Sequence, residues 1–155
     1  MQQIDIEAIY TRHFRTVYRV CYAYMKNPAD TEEAVQETFF RMIRRQPHFE
    51  NPEHEKAWLI RTASNICKNE LKHWRRTQTN LDSYTDLPAP ETESSGDLME
   101  AIKALPERYK TVIYLYYYEG YQTAEIAKML RKPHSTIRNH LREARLLLKE
   151  RLGDE

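Results

Sequence analysis

The chain has 155 residues, of which 41% are hydrophobic, enough for one packed domain or two small ones. It holds only three glycines, and its many Glu, Lys, Arg, Leu and Ala residues favour helices over strands. The formal net charge is +1, which by itself is uninformative about nucleic-acid binding. No apolar run approaches the roughly 20 residues that span a bilayer, and the first residues lack the basic start of a signal peptide. We therefore expect an all-α protein in the cytoplasm.

The first predicted helix covers about residues 5–25, where apolar side chains recur at steps of three and four and form one buried stripe that includes Tyr10. Asn27-Pro28 is expected to end this helix, and Asp30 or Thr31 to cap the next one. In that second helix, apolar side chains again form an inward face. Its exposed side carries three polar residues, Glu33, Gln36 and Glu37.

A loop is predicted for residues 48–55, followed by a third helix over residues 56–76. One side of this helix is apolar. The other side carries basic and amide side chains at steps of four, three, four and three, which places them in one stripe. These residues are Arg61, Asn65, Lys68, Lys72 and Arg75. A basic stripe of this length suits a phosphate backbone, but a solvated helix face is the alternative explanation.

Residues 77–96 are poor in apolar side chains and rich in Pro, Ser, Thr and acids, which is typical of a flexible linker. From Thr77 to Glu100 there are six acids and no Lys or Arg, whereas from Lys128 to Arg151 eight bases stand against two acids. The small net charge therefore hides a strongly segregated distribution. We hypothesise that the acidic linker screens the basic segments from stray nucleic acid.

After the linker, Leu105-Pro106 separates a short helix from a strongly apolar one that carries the aromatic cluster Tyr114, Tyr116, Tyr117 and Tyr118 and ends at Gly120. We expect these tyrosines to be buried rather than to stack on bases. Residues 121–151 then predict two helices joined by a tight turn, the pattern of a helix-turn-helix. The last helix has an apolar side and a polar, basic side. Its candidate DNA-contacting residues are Ser135, Thr136, Arg138, Asn139, Arg142 and Arg145.

Other kinds of chemistry have little support in the sequence. Cys21 and Cys67 have apolar neighbours and are expected in the core rather than in a disulfide. His48 and His54 share a loop where a weak metal site is conceivable. The chain contains no glycine-rich phosphate loop, no metal-ligand pairing of cysteines and no HExxH. We therefore expect no enzymatic activity, no cofactor and no bound metal.

Three stretches of the chain resemble the extracytoplasmic-function (ECF) sigma factors, the smallest specificity subunits of bacterial RNA polymerase. They are Asn27-Pro28 through EEAVQETFFRM (32–42), AWLIRTASN (57–65) with its basic tail KHWRR, and ALPERY (104–109) followed by EGYQTAEIAKML. Their order covers nearly the whole chain. The resemblance implies a first domain, residues 1–76, that binds core polymerase and opens the minus-10 element. It also implies a second domain, residues 97–155, that reads the minus-35 element.

The resemblance further implies roles for individual residues. Glu33, Gln36 and Glu37 would meet the coiled-coil clamp of the largest polymerase subunit. The loop and the basic helix of the first domain would capture a flipped-out base of the melted strand and hold its phosphates. The residues of this minus-10 surface are Phe49, Asn51, Arg61, Asn65, Lys68, Lys72, Arg75 and Arg76. The polymerase flap, promoter DNA and an anti-sigma factor are the other implied partners.

Several positions depart from the family pattern. Arg131 stands at the helix-turn-helix bend where the family usually has glycine, so either a left-handed backbone there costs about 1 kcal/mol or the turn differs from the family's. Gln122 replaces the usual serine cap. His140 and Glu143 stand where basic residues are common, and Arg142 where an aromatic residue is frequent. Since glutamate can accept a hydrogen bond from cytosine, Glu143 is a candidate for reading a base.

The main alternative is a stand-alone helix-turn-helix regulator that binds operator DNA as a dimer without polymerase. It would account for residues 122–148 equally well. It would leave the basic helix at 56–76 and the EEAVQETFF stretch without a role.

Overall fold

The structure, a computed structural model, describes residues 5–77 and 96–152. Every secondary-structure element in these two ranges is helical, which confirms the all-α fold class. The chain divides into two compact units, Met1–Pro90 and Glu91–Glu155. The segment predicted to be a linker, with its hypothesised screening role, lies almost entirely outside the described residues. Within the described ranges, no helix is both long and apolar enough to cross a bilayer.

In residues 5–77, unit 1 has three helices that pack on one another: α1 (Ile6–Met25), α2 (Pro28–Arg45) and α3 (Pro52–Thr77). Its core side chains come from all three helices and include Val17, Val20, Tyr24, Met42, Leu59, Ile60 and Ala63. Cys21 and Cys67 are also buried there as free thiols, as predicted. A hydrogen bond with Cys67, together with burial, raises the pKa of the Cys21 thiol well above its usual value. This thiol therefore stays protonated and acts as a core side chain.

The prediction that Tyr10 belongs to the buried stripe of α1 is wrong, because this side chain is 43% exposed. Tyr10 lies at the edge of the α1–α2 contact, where its ring packs 4.8 Å from Phe39 and 5.2 Å from Phe14, measured between centroids. Helical spacing places a residue on a face but does not show where the neighbouring helix stops covering that face.

The start of α2 also differs from the prediction. The N-cap is Asn27, whose side-chain oxygen accepts a hydrogen bond of 2.8 Å from the backbone N–H of Asp30. Pro28 is the first helical residue, where its missing N–H costs nothing. Asp30 and Thr31 lie within the first turn instead of capping it. The Asn27-Pro28 pair therefore begins α2, whereas α1 ends at Met25 with Lys26 in a left-handed conformation.

Helix α3 begins at Pro52, four residues earlier than predicted. Asn51 precedes it, and its side-chain oxygen accepts a hydrogen bond of 2.9 Å from the N–H of His54. This is the same Asn-Pro arrangement that starts α2. The predicted loop at 48–55 is therefore shorter, and Asn51 holds its end against the helix.

His13 links α1 to the first turns of α3. Its Nε2 lies 3.0 Å from Glu55 Oε1, and Arg12 donates a hydrogen bond of 3.2 Å to the same oxygen. Burial lowers the pKa of His13, an effect that outweighs the raising influence of the hydrogen bond to Glu55. His13 is therefore neutral at neutral pH and serves as a polar strut between the two helices.

Because the folded-state pKa of His13 lies below its ordinary value of 6.5, the unfolded chain binds the proton more readily. We predict that this group costs unit 1 stability as the pH falls through 6.5, with the loss ending below the lowered folded-state pKa. His13→Gln should remove this part of the pH dependence of the free energy of unfolding. Both tryptophans lie in α3, so tryptophan fluorescence during urea unfolding reports on unit 1.

The control is His73→Gln, which changes an exposed histidine of the same unit. It should leave the pH dependence as in the parent chain. An unchanged pH dependence in His13→Gln would show that His13 does not contribute it.

The described residues of unit 2 form four α-helices: α4 (Gly96–Ala104), α5 (Glu107–Ile113), α6 (Thr123–Leu130) and α7 (His134–Leu152). A π-helical segment, Tyr114–Tyr118, continues α5. The core lies where α7 packs on the other three helices. It contains Ile102, Ile113, Tyr114, Leu115, Ile126, Ile137, Leu141 and Ala144.

The four tyrosines of the π-helical segment do not share one environment. Tyr114 is fully buried, and its hydroxyl donates a hydrogen bond of 2.6 Å to Glu119. Tyr116 and Tyr118 are half-buried, whereas Tyr117 is 43% exposed. The predicted burial therefore holds for Tyr114 and fails for Tyr117. Gly120 then ends the segment with φ +78°, a left-handed conformation that glycine adopts readily.

A buried lysine ties α5 to the end of α4. The Lys110 side chain is only 2% exposed, and its Nζ donates hydrogen bonds to the carbonyl oxygens of Lys103 (2.6 Å) and Ile102 (3.4 Å). The last carbonyls of a helix lack partners within the helix and carry its negative dipole end. The ammonium group satisfies them and fixes the approach of α5 to α4.

Candidate nucleic-acid interfaces

Helix α7 presents one polar, basic face because its opposite face is buried in unit 2. Ile137, Leu141, Ala144 and Leu148 form the buried face. Five of the six predicted minus-35 residues are exposed on the other side: Ser135, Arg138, Asn139, Arg142 and Arg145. The sixth, Thr136, is half-buried at the flank between the two faces. The arrangement leaves several hydrogen-bond donors along one side of the helix.

Side-chain contacts order the N-terminal half of this face. Nε2 of His134 lies 2.8 Å from the hydroxyl oxygen of Thr123, the first residue of α6. Nδ1 of His134 lies 3.3 Å from a guanidinium nitrogen of Arg138. One turn further on, Arg142 donates a hydrogen bond of 3.2 Å to the side-chain oxygen of Asn139. No functional role for His134 or Thr123 is predicted from the sequence.

The turn between α6 and α7 is left-handed at Arg131, with φ 58° and ψ 48°. This conformation directs the N–H of Lys132 to the carbonyl of Ala127 at 3.0 Å, which closes the end of α6. The bend is thus left-handed with an arginine, rather than a glycine, at this position. At the other end of α6, Glu125 accepts a hydrogen bond of 2.8 Å from the N–H of Gln122, so a glutamate supplies the capping interaction.

Two of the departures from the family pattern make contacts inside unit 2. Glu143 accepts a hydrogen bond of 2.8 Å from the hydroxyl of Tyr109, and the ring of His140 packs edge-on against Tyr109 with centroids 5.6 Å apart. Both residues therefore tie α7 to α5. Base reading by Glu143 would require its carboxylate to share or leave the tyrosine hydroxyl.

Unit 1 presents a second basic face, along α3. The core side of this helix includes Leu59, Ile60 and Ala63. The opposite side carries the predicted stripe, within about a third of the helix circumference and over about 21 Å from first to last residue. Its members are Arg61 and Lys68, which are half-buried, and Asn65, Lys72 and Arg75, which are exposed. Arg76, the remaining helical residue of the predicted minus-10 surface, is also exposed.

The loop that leads into α3 is held by packing and by hydrogen bonds. The half-buried ring of Phe49 lies edge-on to His54 (5.5 Å) and Trp58 (5.9 Å). The N–H of Glu50 donates a hydrogen bond of 3.2 Å to His54 Nδ1. Because Asn51 caps α3, two predicted minus-10 residues, Phe49 and Asn51, also have structural roles. Both lie at the N-terminal end of the helix that carries the stripe.

These contacts also bear on the metal hypothesis for His48 and His54. The Nδ1 of His54 already accepts the hydrogen bond from Glu50. In the part of the chain that the structure describes, no group of three or more His, Cys, Asp or Glu residues is arranged to hold a metal ion.

A third candidate surface lies on α2. Glu33 and Gln36 are exposed, and Glu37 is half-buried. Glu37 forms ion pairs with Arg41 (3.4 Å) and Arg44 (3.3 Å) on the same helix. Next to these polar groups, Phe40 is 52% exposed and Ile43 is 40% exposed. These two apolar residues are not among the predicted site residues. Their position outside the inward face of α2 is the sequence feature that could have identified them as a contact surface.

The geometry defines a helix-turn-helix protein with a separate helical unit that carries its own basic face. Residues 9–78 match the family model for Sigma-70 region 2, and residues 95–148 match that for Sigma-70 region 4.

Comparisons with whole proteins agree with these matches. The chain is 30% identical over 149 residues to the RNA polymerase sigma factor SigV of Bacillus subtilis, covering 94% of this chain and 89% of that protein. It is 26% identical to the ECF RNA polymerase sigma factor SigW of Bacillus subtilis, covering 89% of this chain and 83% of that protein. The chain belongs to the ECF group of sigma-70 family RNA polymerase sigma factors.

A solved structure shares the fold. It is the sigma factor RpoE in complex with the anti-sigma factor NepR from Bartonella quintana, with a TM-score of 0.75. The alignment covers 96% of this chain and 98% of that one at 21% sequence identity.

The left-handed turn generates a stability prediction. Arg131→Gly relieves the strain of a non-glycine left-handed residue, partly offset by the greater freedom of the unfolded chain, so the free energy of unfolding of unit 2 should rise by about 0.5–1 kcal/mol. Amide hydrogen exchange of α6 and α7 measures this change locally.

The matched control is Lys26→Gly, a left-handed position in unit 1 with φ 70°. It should slow exchange only in unit 1. Faster exchange in α6 and α7 of Arg131→Gly would mean that the arginine side chain stabilises the turn by contacts worth more than the strain.

Proposed function

We propose that the chain binds core RNA polymerase and directs transcription initiation at promoters with two recognition elements. The observation that carries this proposal is the presence of one basic helix face in each unit, in the order of the two matching sigma-70 regions. A protein that joins polymerase acts where the polymerase is, which is the bacterial cytoplasm.

In unit 1, residues 1–76 form the proposed domain that opens the minus-10 element. Melting exposes bases and two phosphate strands, so it is favoured by a pocket for a base and by cations for the phosphates. The loop around Phe49 and Asn51 lies at the N-terminal end of α3, and Asn65 lies about 20 Å further along the same helix. Arg61, Lys68, Lys72, Arg75 and Arg76 then provide the cationic track. Packing of Phe49 and capping by Asn51 pre-organise the loop before the base arrives.

In unit 2, residues 97–155 form the proposed minus-35 reader. The exposed face of α7 would enter the major groove, where arginine matches guanine and asparagine matches adenine by paired hydrogen bonds. Arg138 and Asn139 lie in the N-terminal half of the helix, the part that contacts base edges in this motif. Ser135, Thr136, Arg142 and Arg145 flank them and suit contacts with phosphates.

The α2 surface is the proposed contact with the clamp coiled coil of polymerase. Glu33, Gln36 and Glu37 supply polar groups, and the exposed Phe40 and Ile43 supply the apolar area that a stable protein contact buries. We further propose contact between unit 2 and the polymerase flap, and regulation by an anti-sigma protein. The solved relative in complex with an anti-sigma factor supports the latter.

The alternative, a stand-alone operator-binding regulator, is not favoured. It requires only the helix-turn-helix, whereas the match to Sigma-70 region 2 extends over residues 9–78. Sigma factors are not enzymes, so family membership also argues against a catalytic role.

Substitutions on the two basic faces should have different consequences. Arg138→Ala removes a proposed base contact and should cost about 1–3 kcal/mol at one minus-35 position. Lys72→Ala removes a proposed phosphate contact and should weaken binding evenly across sequences, with a smaller salt dependence. Binding of the reconstituted holoenzyme to promoter variants at several salt concentrations measures both effects. Equal, sequence-independent losses in both variants would contradict base reading by Arg138.

The α2 assignment is tested by charge reversal at Glu37. Glu37→Lys breaks the ion pairs with Arg41 and Arg44 and adds a positive charge to a helix that already carries these two residues and Arg45. Affinity for core polymerase should therefore fall while the fold remains intact. The matched control is Glu70→Lys, the same change at an exposed position of α3 outside the basic stripe. Direct binding to core polymerase without DNA is the measurement. Parent-like affinity in Glu37→Lys would show that α2 does not form the contact.

A further inference from the structure

His134 connects the two helices of the helix-turn-helix and also contacts a proposed base-reading side chain. It is the first residue of α7, and its ring lies 2.8 Å from the hydroxyl of Thr123, the first residue of α6. The other ring nitrogen lies 3.3 Å from the Arg138 guanidinium. One imidazole therefore spans the turn and reaches the exposed face of α7.

The chemistry of the partners determines how the neutral ring is protonated. A guanidinium group can only donate hydrogen bonds, so Nδ1 of His134 must accept the bond from Arg138. The ring hydrogen then resides on Nε2, which donates to the hydroxyl oxygen of Thr123. The Thr123 hydroxyl can donate or accept, so it fits this tautomer and anchors the ring through Nε2 while Nδ1 holds Arg138.

Arg138 keeps enough donors for DNA while it is held in this way. The guanidinium group has five N–H donors, and a paired contact with guanine uses two of them. A long arginine side chain loses considerable rotamer freedom when it docks, and a side chain that is already oriented loses less. The bond to His134 lowers this cost only for the geometry in which the guanidinium lies along α7.

We propose that His134 is a positioning residue that orients Arg138 for base reading, with Thr123 anchoring the imidazole ring through Nε2. The inference rests on the proposed function of α7 and adds a specificity determinant outside the set of DNA-contacting residues. His134, the first residue of α7 after the turn, thereby gains a role in base reading.

The test uses the full chain reconstituted with bacterial core polymerase, on a promoter library in which the minus-35 element is randomised. The variants are His134→Ala, His134→Asn, His134→Gln, Thr123→Val, Arg138→Ala and the double variant His134→Ala with Arg138→Ala. The readout is base preference at the position that Arg138→Ala relaxes. The amide oxygen of asparagine can take the place of Nδ1, whereas the glutamine amide reaches only the place of Nε2.

Loss of one hydrogen bond predicts a drop in that preference of about two- to tenfold in His134→Ala and His134→Gln. His134→Asn should retain most of the preference, and Thr123→Val should fall between the two groups. In the Arg138→Ala background, His134→Ala should change the preference no further, since His134 acts through Arg138.

Three results would overturn the inference. One is an equal loss for all sequences in His134→Ala, which would indicate a phosphate contact. Another is an equal drop with and without Arg138, which would indicate a general packing role. The third is an unchanged preference in Arg138→Ala itself, which would also remove base reading by Arg138. Promoter-directed transcripts from the parent chain in the same experiment would show that the proposed function still stands.

Discussion

Burial of one face of α7 is the constraint on which the candidate minus-35 site depends. Ile137, Leu141 and Ala144 can leave water only against α4, α5 and α6, and this fixes the rotation of the helix about its axis. Once that rotation is set, Arg138 and its polar neighbours face the solvent because they lie opposite the buried face. The left-handed turn at Arg131 then sets the angle at which α6 supports the helix. A stable hydrophobic core and an accessible basic face are two results of the same packing.

In unit 1, burial of one face of α3 likewise orients its basic face, and side-chain contacts hold the start of this helix. The core side of α3 packs on α1 and α2, so the basic stripe is directed away from them. The bond between His13 and Glu55 attaches the first turns of α3 to α1, and Asn51 ties the preceding loop to the helix end. The proposed base-capturing loop is thus anchored at its α3 end, and that end is attached to α1, which suits a surface that must bind a base without large rearrangement.

Much of this organisation could be predicted from the sequence, because helical periodicity reveals which residues share a face. The exposed set on α7 and the stripe on α3 follow from that periodicity, and both are found on the solvent side. Periodicity does not show where a helix starts. The predicted cap of α2 is therefore three or four residues too late, and the cap of α3 at Asn51 is not predicted. It also does not show contacts between side chains distant in sequence. The Lys110 contact with the end of α4, the Tyr109–Glu143 bond and the Thr123–His134 contact each depend on how the helices pack, and the exposure of Tyr10 depends on where α2 stops covering α1.

The most direct test of the central claim is transcription in vitro with the purified chain, bacterial core polymerase and a library of genomic fragments, with transcript start sites sequenced. If the chain directs initiation as proposed, discrete start sites will share two upstream motifs, one for each basic face. These starts will also disappear when the chain is omitted. Absence of polymerase binding, together with symmetric protection of operator-like DNA by the chain alone, would contradict the proposed function and favour the stand-alone regulator.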